Sequence, residues 1–503
     1  MPARWAYTAA AGVLVALVGL ASSGRDLETR RLTLQSGAPA VLHLPGDGAE
    51  PTEAARPLVV LLHDRGGNSG AMGSLARRLA RSGYAVLSLD LPGHGRHPEG
   101  FAYDGLNRSW GLEFEAAYEV AAERRDLDAE RIALVGYGLG ASAALQEAQW
   151  DPARVASVAA ISPPHAAEGP YAAPNALVLW GAGDATRVRR AGREIGARLA
   201  GRTQIVADRT YGDLAAGDAV RISEVDGVGR FNARYSRELA ERLRDWLDAT
   251  LAPKSDSGAP DDPALGWSAA GLLAALVLLW NLPVPRAAAR APAPDGRSRL
   301  ARLGTWGAVL GVAAALIGAA TAFGGGPLGF LPLAPAREIA GLWGVAGGLA
   351  WLVLGRGARE ARAFSSAQGL LTFGVAYALF GSLLAPWIDL FPGAVRLGWT
   401  ALLALLLLPH FSALENGLRE GPLAAAWLPA AARAAALAAL PLLVWLGLLS
   451  RGALAGWPLL LLVSAALEVF AARWARAGGD RRASALAQAL GTAWILGALL
   501  PLE

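Results

Sequence analysis

Six acidic and histidine side chains stand at or near the ends of predicted strands, where they could perform acid–base or metal chemistry. They are His63, Asp64, Asp90, His94, His97 and Asp184. The carboxyl ends of the strands form one edge of an open α/β sheet, so these side chains can converge there. Converging carboxylates and imidazoles can hold a metal ion that activates water. A metal-dependent hydrolytic site is therefore one hypothesis for this edge.

A glycine-rich turn, Gly136-Tyr137-Gly138-Leu139-Gly140, joins a predicted strand to a predicted helix. Together with Ala141 it matches the dinucleotide-binding pattern G-x-G-x-x-G/A. That pattern normally follows the first strand of its unit and has an acidic residue at the end of the next strand. Here earlier strands precede the turn, and the next strand ends without an acid at residues 161–163. We therefore expect no nucleotide cofactor. Backbone N–H groups at the start of the helix could instead hold an anion or a carboxylate.

The elements that must position these residues alternate between strand and helix over residues 27–250. An opening hairpin is predicted at 33–46. Further strands are predicted at 57–63, 85–95, 131–136, 155–163 and 176–184, and helices at 72–84, 113–124, 141–150 and 236–250. This alternation is typical of an α/β domain with a mostly parallel, doubly wound sheet.

Four segments, in this order, resemble the α/β-hydrolase superfamily, and most closely its dienelactone-hydrolase and acyl-peptidase-like branch. They are HDRGG (63–67), LDLPGHG (89–95), RIALVGYGLGASAAL (131–145) and LVLWGAGD (177–184). The resemblance covers about residues 30–250. It implies a nucleophilic serine on a G-x-S-x-G turn, a histidine base and an orienting aspartate. It also implies that His63 and His94 brace loops, so we predict no metal.

Carried onto this sequence, the triad of the family falls on Gly138, Asp184 and Arg230, with Asn232 as the alternative to Arg230. Glycine has no side chain to acylate. An arginine stays protonated and an amide does not titrate, so neither can serve as the base near neutral pH. Ser142 lies one turn into the helix, away from the apex. We therefore expect that serine-hydrolase chemistry is lost. The positions that resemble the oxyanion loop are His63, Asp64 and Leu139.

The composition excludes a wholly soluble enzyme and a disordered chain. Of 503 residues, 53% are apolar and 17% charged, below the roughly 25% charged residues of soluble domains. The absence of cysteine excludes disulfides and a cysteine nucleophile. The formal net charge of +4 is carried mainly by arginine, which is enriched in the cytoplasmic loops of membrane proteins. We therefore expect a lipid bilayer and no nucleic acid as the partner.

Nine apolar stretches predict membrane-spanning helices. The first, at 6–22, is a signal anchor or a cleaved signal peptide. The others lie at about 266–284, 303–323, 339–355, 369–388, 397–413, 434–450, 455–472 and 484–501. If residue 262 is outside, the inside loops hold fourteen arginines and the outside loops three, Arg337, Arg396 and Arg451. This bias places the N-terminus inside and the C-terminus outside, with the soluble domain on the extracytoplasmic side of the inner or plasma membrane.

Four regions follow from these patterns. Residues 1–24 form the N-terminal segment, and residues 25–252 the extracytoplasmic α/β-hydrolase-like domain. Residues 253–264, rich in Pro, Ser, Asp and Gly, form a linker. Residues 265–503 form an all-α polytopic transmembrane domain of about eight helices. The combination resembles bacterial and archaeal proteins in which such a domain precedes a multi-span region.

The densest polar group in the apolar half comprises His410, Glu415 and Arg419. Polar side chains inside a membrane usually have a function. Glu415 and Arg419 are four residues apart, a spacing that favours an ordinary ion pair on one helix. The same spacing faintly resembles intramembrane CAAX-type proteases, whose paired glutamates are missing here. A transport path would need paired charges at mid-span or an inverted repeat, and the sequence has neither.

These observations predict a membrane-anchored α/β-hydrolase-fold protein that has lost its catalytic serine and histidine. Such a protein would act as an extracytoplasmic binding or scaffold subunit of a membrane assembly, with a possible protein partner. One alternative is an active ester or peptide hydrolase with displaced catalytic groups. Another is a transport or assembly component that acts through its membrane helices.

Overall fold

The computed structural model describes two compact units, which together cover most of the chain. The described residues are 2–46, 55–101, 110–165, 172–252, 261–281, 299–322, 336–354, 363–419, 427–446, 449, 454, 457–477, 479–500 and 502. The α/β unit comprises Val15–Ala270 and Leu384–Asp389. The helical unit comprises Met1–Leu14, Gly271–Leu383 and Leu390–Glu503. The α/β unit thus extends past the predicted range 25–252 and includes a short segment distant in sequence. Most of the predicted linker, residues 253–260, lies outside the described residues.

A nine-stranded sheet forms the centre of the α/β unit, in the order β1-β2-β4-β3-β5-β6-β7-β9-β8. Its strands are β1 Leu27–Thr33, β2 Pro39–Pro45, β3 Arg56–Leu62, β4 Ala85–Leu89, β5 Leu127–Tyr137, β6 Ser157–Ile161, β7 Ala176–Gly181, β8 Thr210–Tyr211 and β9 Val220–Val225. Six neighbouring strands of this sheet run parallel to one another, in the order β4, β3, β5, β6, β7 and β9. The antiparallel pairs lie at the two edges, β1–β2–β4 and β8–β9. The opening hairpin thus begins at Leu27, six residues before the predicted start.

Both faces of this sheet are covered by helices, because the strands are apolar on both sides. In β3, Leu58, Val60 and Leu62 face one hydrophobic core, and the alternate residues Val59 and Leu61 face another. The first core includes residues of α3 Gly111–Glu123, α4 Leu139–Trp150 and α5 Thr186–Leu199. The second includes residues of α2 Gly73–Arg81 and α6 Arg237–Leu251. The prediction of a doubly wound sheet is confirmed, although α5 and β9 were not predicted.

The remaining helices are long and apolar. They are α1 Pro2–Ser22, α7 Pro263–Asn281, α8 Arg299–Ala322, α9 Ala336–Leu354, α10 Ala363–Leu384, α11 Ala394–Ala413, α12 Trp427–Trp445, α13 Trp457–Arg476 and α14 Arg481–Leu499. Within the described residues, five stretches are long and apolar enough to cross a membrane. They are Arg4–Ser22, Pro263–Asn281, Ala367–Leu384, Ala394–Ala413 and Leu428–Trp445. The other four predicted spans lie on α8, α9, α13 and α14, and the total of nine spans stays a prediction.

The arginines on which the predicted topology rests are described only in part. Arg286, Arg290, Arg297, Arg356, Arg359, Arg362 and Arg451 lie outside the described residues. Arg396, predicted to lie in an outside loop, belongs instead to the first turn of α11 and is almost completely buried. Its Nη1 donates to the carbonyls of Gly497, at 2.9 Å, and Leu500, at 2.8 Å. A cation at this place satisfies backbone acceptors at the C-terminal end of α14.

Candidate functional site

The turn between β5 and α4 has the backbone of a strained strand-to-helix elbow. Gly138 at its apex has φ 57° and ψ −114°, in the left-handed half of backbone space that favours glycine. Its N–H donates to the Ile161 carbonyl at 2.9 Å, and the N–H of Gly140 donates to the His63 carbonyl at 3.1 Å. These two bonds tie the turn to the ends of β6 and β3. The elbow geometry is therefore present although the serine is not.

The carboxylate of Asp64 fills the space in front of this elbow. A Cβ on Gly138 would lie 2.2 Å from both the carboxyl carbon and Oδ1 of Asp64, far inside contact distance. Oδ1 of Asp64 accepts a hydrogen bond of 2.8 Å from the backbone N–H of Leu139, the first residue of α4. A carboxylate is favoured at this place because unpaired N–H groups and the positive end of the helix dipole meet there. The predicted anion site is thus occupied by a carboxylate of the same chain.

Arg230 holds the second oxygen of this carboxylate. Its Nη2 donates to Asp64 Oδ2 at 2.7 Å, and about half of the Arg230 side chain remains exposed. The Tyr137 hydroxyl donates to the backbone carbonyl of Arg230. Asn232, the other candidate for the histidine position, instead binds its own loop, accepting from Gly229 N–H at 2.8 Å and donating to the Gly227 carbonyl at 3.0 Å. Of the two candidates, Arg230 is therefore the one that reaches the elbow.

Asp184 lies at the position predicted for the acid, three residues after the end of β7. Its Oδ2 accepts hydrogen bonds from the hydroxyl of Ser162 at 2.7 Å and from the Gly181 N–H at 3.0 Å. Ser162 follows β6 with an unusual φ of 48°. Its pairing with Asp184 was not predicted, although its place at the end of a buried strand is a signal that could have found it. This aspartate therefore accepts from a serine hydroxyl, whereas the partner of the acid in a triad is a histidine.

The histidines near the strand ends brace loops. His63 Nδ1 donates to the Asp64 carbonyl at 2.8 Å, and His63 Nε2 accepts from the Leu91 N–H at 3.0 Å. Burial lowers the pKa of His63 below its ordinary value, so the ring is neutral at pH 7 and carries this pair of roles. His94 Nδ1 contacts the Pro92 carbonyl at 2.9 Å, and His97 pairs with buried Glu113 at 3.2 Å.

Asp90 has a similar bracing role. Its two oxygens accept from the N–H groups of Ser69, at 2.6 Å, and Arg96, at 2.8 Å. The structure thus does not bring the six side chains together as one ligand set. Within the described residues, no group of three histidine, aspartate or glutamate side chains is arranged to hold a metal ion.

In the helical unit, the predicted ion pair belongs to a larger buried network. Arg419 Nε donates to Glu415 at 3.0 and 3.1 Å, and Arg419 Nη2 donates to Glu468 at 2.7 and 2.8 Å. Arg433 Nε donates to Glu468 at 2.7 Å, and its Nη2 donates to Gln488. Gln488 Nε2 donates back to Glu415 at 3.0 Å.

This network extends the predicted polar group, of which His410 is a separate part. Arg433 and Gln488 were not among the predicted site residues; a polar residue in an apolar helix is the signal that could have found them. Leu414–Leu418, which carries Glu415, forms a turn of π-helix. His410, the third predicted member, packs instead between Trp306 and Trp343, each with a ring centroid 5.1 Å from its own.

One known protein family matches part of the sequence of the α/β unit. Residues 53–235 match the sequence model of a family described as serine aminopeptidase, S33. Among curated proteins, none matches the chain. The parallel order, the two-sided helical cover and the elbow after β5 define the α/β-hydrolase fold.

Several solved structures resemble part of the chain. Hypothetical protein PA2218 from Pseudomonas aeruginosa is 14% identical, with 45% of this chain and 94% of that chain covered and a TM-score of 0.34. An esterase from Pyrococcus furiosus is also 14% identical, with 46% and 96% covered and a TM-score of 0.33. A putative dienelactone hydrolase from Klebsiella pneumoniae is 17% identical, with 45% and 99% covered and a TM-score of 0.32.

Proposed function

We propose that this chain is a membrane-anchored protein whose α/β-hydrolase unit does not act as a serine hydrolase and serves as a binding or scaffold subunit. The observation that carries the proposal is the carboxylate of Asp64 in front of the elbow. A serine side chain at position 138 would need the same space. The loss of the nucleophile therefore comes with a side chain that fills its place.

The oxyanion position supports the same conclusion. In the α/β-hydrolase mechanism, the N–H of the residue after the nucleophile stabilises the negative oxygen of the tetrahedral intermediate. That residue is Leu139 here, and its N–H already binds a carboxylate oxygen of Asp64 at 2.8 Å. A second negative oxygen at this place would be repelled. Transition-state stabilisation, which is usually the largest catalytic contribution, is therefore blocked from within the chain.

A general base is missing as well, in addition to the nucleophile and a free oxyanion-binding N–H group. A base must accept a proton from the nucleophile, and the guanidinium of Arg230 is always protonated. Arg230 is paired with Asp64, and Asp184 accepts from Ser162. The first contact connects the loop after β9 to the end of β3, and the second connects the ends of β6 and β7. A rigid module with connected loops suits binding, for which a fold needs no catalytic groups.

The membrane attachment and the side of the membrane are part of the proposal. Five stretches among the described residues are long and apolar enough to span a bilayer, which supports the attachment. The excess of arginine in alternate loops of the sequence supports an extracytoplasmic α/β unit in the inner or plasma membrane. The partner would be another protein of the same membrane.

A second candidate, an active ester or peptide hydrolase with displaced groups, is favoured by the Ser162–Asp184 hydrogen bond and by the family match. The Ser162 side chain could act as the nucleophile, with Asp184 as its partner. Against this candidate, Ser162 is only 6% exposed and has no histidine partner within the described residues. Ser162→Ala distinguishes the two candidates.

The test is labelling of the full-length chain with a fluorophosphonate probe, beside turnover of a broad ester and peptide panel. We expect no covalent label and no turnover above background. Turnover that disappears in Ser162→Ala or Asp184→Ala would contradict the proposal and favour the second candidate. In the positive control, the triple variant Asp64→Gly/Gly138→Ser/Arg230→His, we expect the label to appear on residue 138. The matched control is Gly201→Ser, which adds a serine at another glycine of positive φ, 60°.

A further inference from the structure

Three buried aromatic side chains of the helical unit form a cluster in which three ring nitrogens lack hydrogen-bond partners among the described residues. Trp306 of α8 and Trp343 of α9 both pack on His410 of α11, and Trp343 stacks on the imidazole with an angle of 12° between the planes. The three side chains are at most 2% exposed. Nε1 of Trp306, Nε1 of Trp343 and Nδ1 of His410 have no hydrogen-bond partner among the described residues. We call these three residues the indole–histidine cluster.

Unpaired nitrogens of this kind are costly in a buried place. Leaving a buried donor or acceptor unsatisfied costs free energy, so such groups normally have a partner. The surrounding side chains, among them Leu310, Leu407 and Phe411, are apolar and offer none. The cluster therefore has the composition of a site whose partner is a molecule outside the chain.

The hydrogen-bonding capacity of the three nitrogens indicates which polar groups a bound molecule must carry. An indole N–H can only donate, so Trp306 and Trp343 both require an acceptor oxygen. Nδ1 of an imidazole donates or accepts according to the tautomer, and a hydroxyl group satisfies either. A molecule with a carbonyl oxygen and a hydroxyl group therefore matches all three nitrogens. Because the surroundings are apolar, the rest of this molecule must be apolar as well.

The buried ion-pair network beside the cluster indicates whether a bound molecule can carry a charge. Arg433 lies over the ring of Phe411, at 5.2 Å, and so connects the surroundings of His410 to the network. Its two arginines, Arg419 and Arg433, are paired with the two carboxylates of Glu415 and Glu468. The formal charges of these four side chains cancel, so the network offers no counter-ion to an anionic group beside the cluster. An uncharged polar group needs no counter-ion.

We propose that the indole–histidine cluster binds the ester carbonyl and the hydroxyl of an uncharged lipid, an acylglycerol. The carbonyl oxygen accepts from the indole N–H groups, and the hydroxyl pairs with His410 Nδ1. The acyl chains lie among the apolar side chains of the bundle. This site is independent of the α/β unit and of the function proposed for it.

The test uses the full-length chain in detergent, with 1,2-dioctanoylglycerol as the probe and calorimetry as the measurement. We expect saturable binding. Trp306→Phe and Trp343→Phe keep an aromatic ring and remove one donor, and each should weaken binding about three- to tenfold. The matched control is Trp445→Phe, because Trp445 is 80% exposed at the end of α12 and should leave affinity unchanged.

Two further measurements make the result decisive. Dioctanoyl phosphatidic acid replaces the hydroxyl with a phosphate, and octanoate offers a carboxylate; both should bind more weakly than the acylglycerol. Without ligand, Trp343→Phe should unfold at the same or a higher temperature than the wild type, since it removes an unsatisfied donor. Absence of saturable binding, tighter binding of the anionic lipids, or equal weakening by Trp445→Phe would each overturn the proposal.

Discussion

The side-chain amide of Asn68 pairs with the backbone of Asp389, a residue 321 positions further along the chain. Asn68 Nδ2 donates to the Asp389 carbonyl at 2.5 Å, and Asn68 Oδ1 accepts from the Asp389 N–H at 3.2 Å. The same Oδ1 caps the short 3-10 helix Ser69–Met72 by accepting from Ala71 N–H at 3.1 Å. One buried side chain thus satisfies the backbone of two segments, and Leu384–Asp389 is integrated into the α/β unit.

Asn68→Ala should destabilise the α/β unit more than Asp389→Ala. The first removes the partners of several backbone groups and should lower the free energy of unfolding by about 2–3 kcal/mol. The second keeps those backbone bonds and removes ion pairs to Arg96, at 2.8 Å, and Arg31, at 3.5 Å, both partly exposed. It should cost less than about 1 kcal/mol. Thermal unfolding of both full-length variants checks the order, and equal effects would contradict it.

Gly138→Ser should destabilise the fold because of both its backbone and its neighbour. A side chain at this φ is strained, and its Cβ would contact the Asp64 carboxylate. We expect a loss of about 2–4 kcal/mol in the free energy of unfolding. Asp64→Gly/Gly138→Ser should recover part of that loss. The control is Gly201→Ser, where φ is 60° and a Cβ meets open space; it isolates the backbone contribution, and an equal cost at both glycines would refute the clash.

Glu147→Gln should remove a dependence of stability on pH. Burial raises the pKa of Glu147 to about 7, and the Tyr118 hydroxyl donates to its Oε1 at 3.1 Å. The folded state therefore holds this proton more tightly than the unfolded state, whose pKa is near 4.5. The stability associated with it is present below about pH 4.5 and is lost as the pH rises through about 7.

The measurement is the difference in melting temperature between Glu147→Gln and wild type at pH 5 and at pH 8. The glutamine keeps an acceptor for Tyr118 and cannot ionise, so we expect the variant to gain stability relative to wild type at pH 8. The gain in the free energy of unfolding should be about 1 kcal/mol after allowance for partial solvation, and it should appear as a higher melting temperature. Glu123→Gln is the control, since that carboxylate is exposed and is not among the charges that act on Glu147. A difference that does not change with pH would contradict the prediction.

Glu468→Ala should destabilise the helical unit severely. Glu468 accepts from both Arg419 and Arg433, so its removal leaves these two buried guanidiniums with one carboxylate, Glu415, which pairs with Arg419. Loss of one partner of a buried ion pair typically costs about 3–5 kcal/mol. Val469→Ala, at the next residue, is the control, because Val469 is 53% exposed. Thermal unfolding in detergent should show a large decrease for the first variant and a small one for the second.

Much of the architecture could be predicted from local patterns. Apolar runs such as 57–63 and 131–136 gave the parallel strands, because a buried strand has the same composition on both faces. The elbow at Gly138 and an acid position at Asp184 were predicted because their motifs lie within a few residues of a strand end. The pairing of Glu415 with Arg419 was predicted for a similar reason, since residues four apart share a helix face.

The sequence by itself determined that glycine occupies the apex of the elbow, where strands and helices alternate, and which half of the chain is apolar. Each of these depends on residues close together in the chain. Only the tertiary structure decided that Asp64 meets Arg230, and that Glu468 joins Arg419 to Arg433. The paired residues lie far apart in the chain, and no repeating sequence pattern links them. Their contacts depend on how strands order in the sheet and helices pack in the bundle, and no local spacing encodes either.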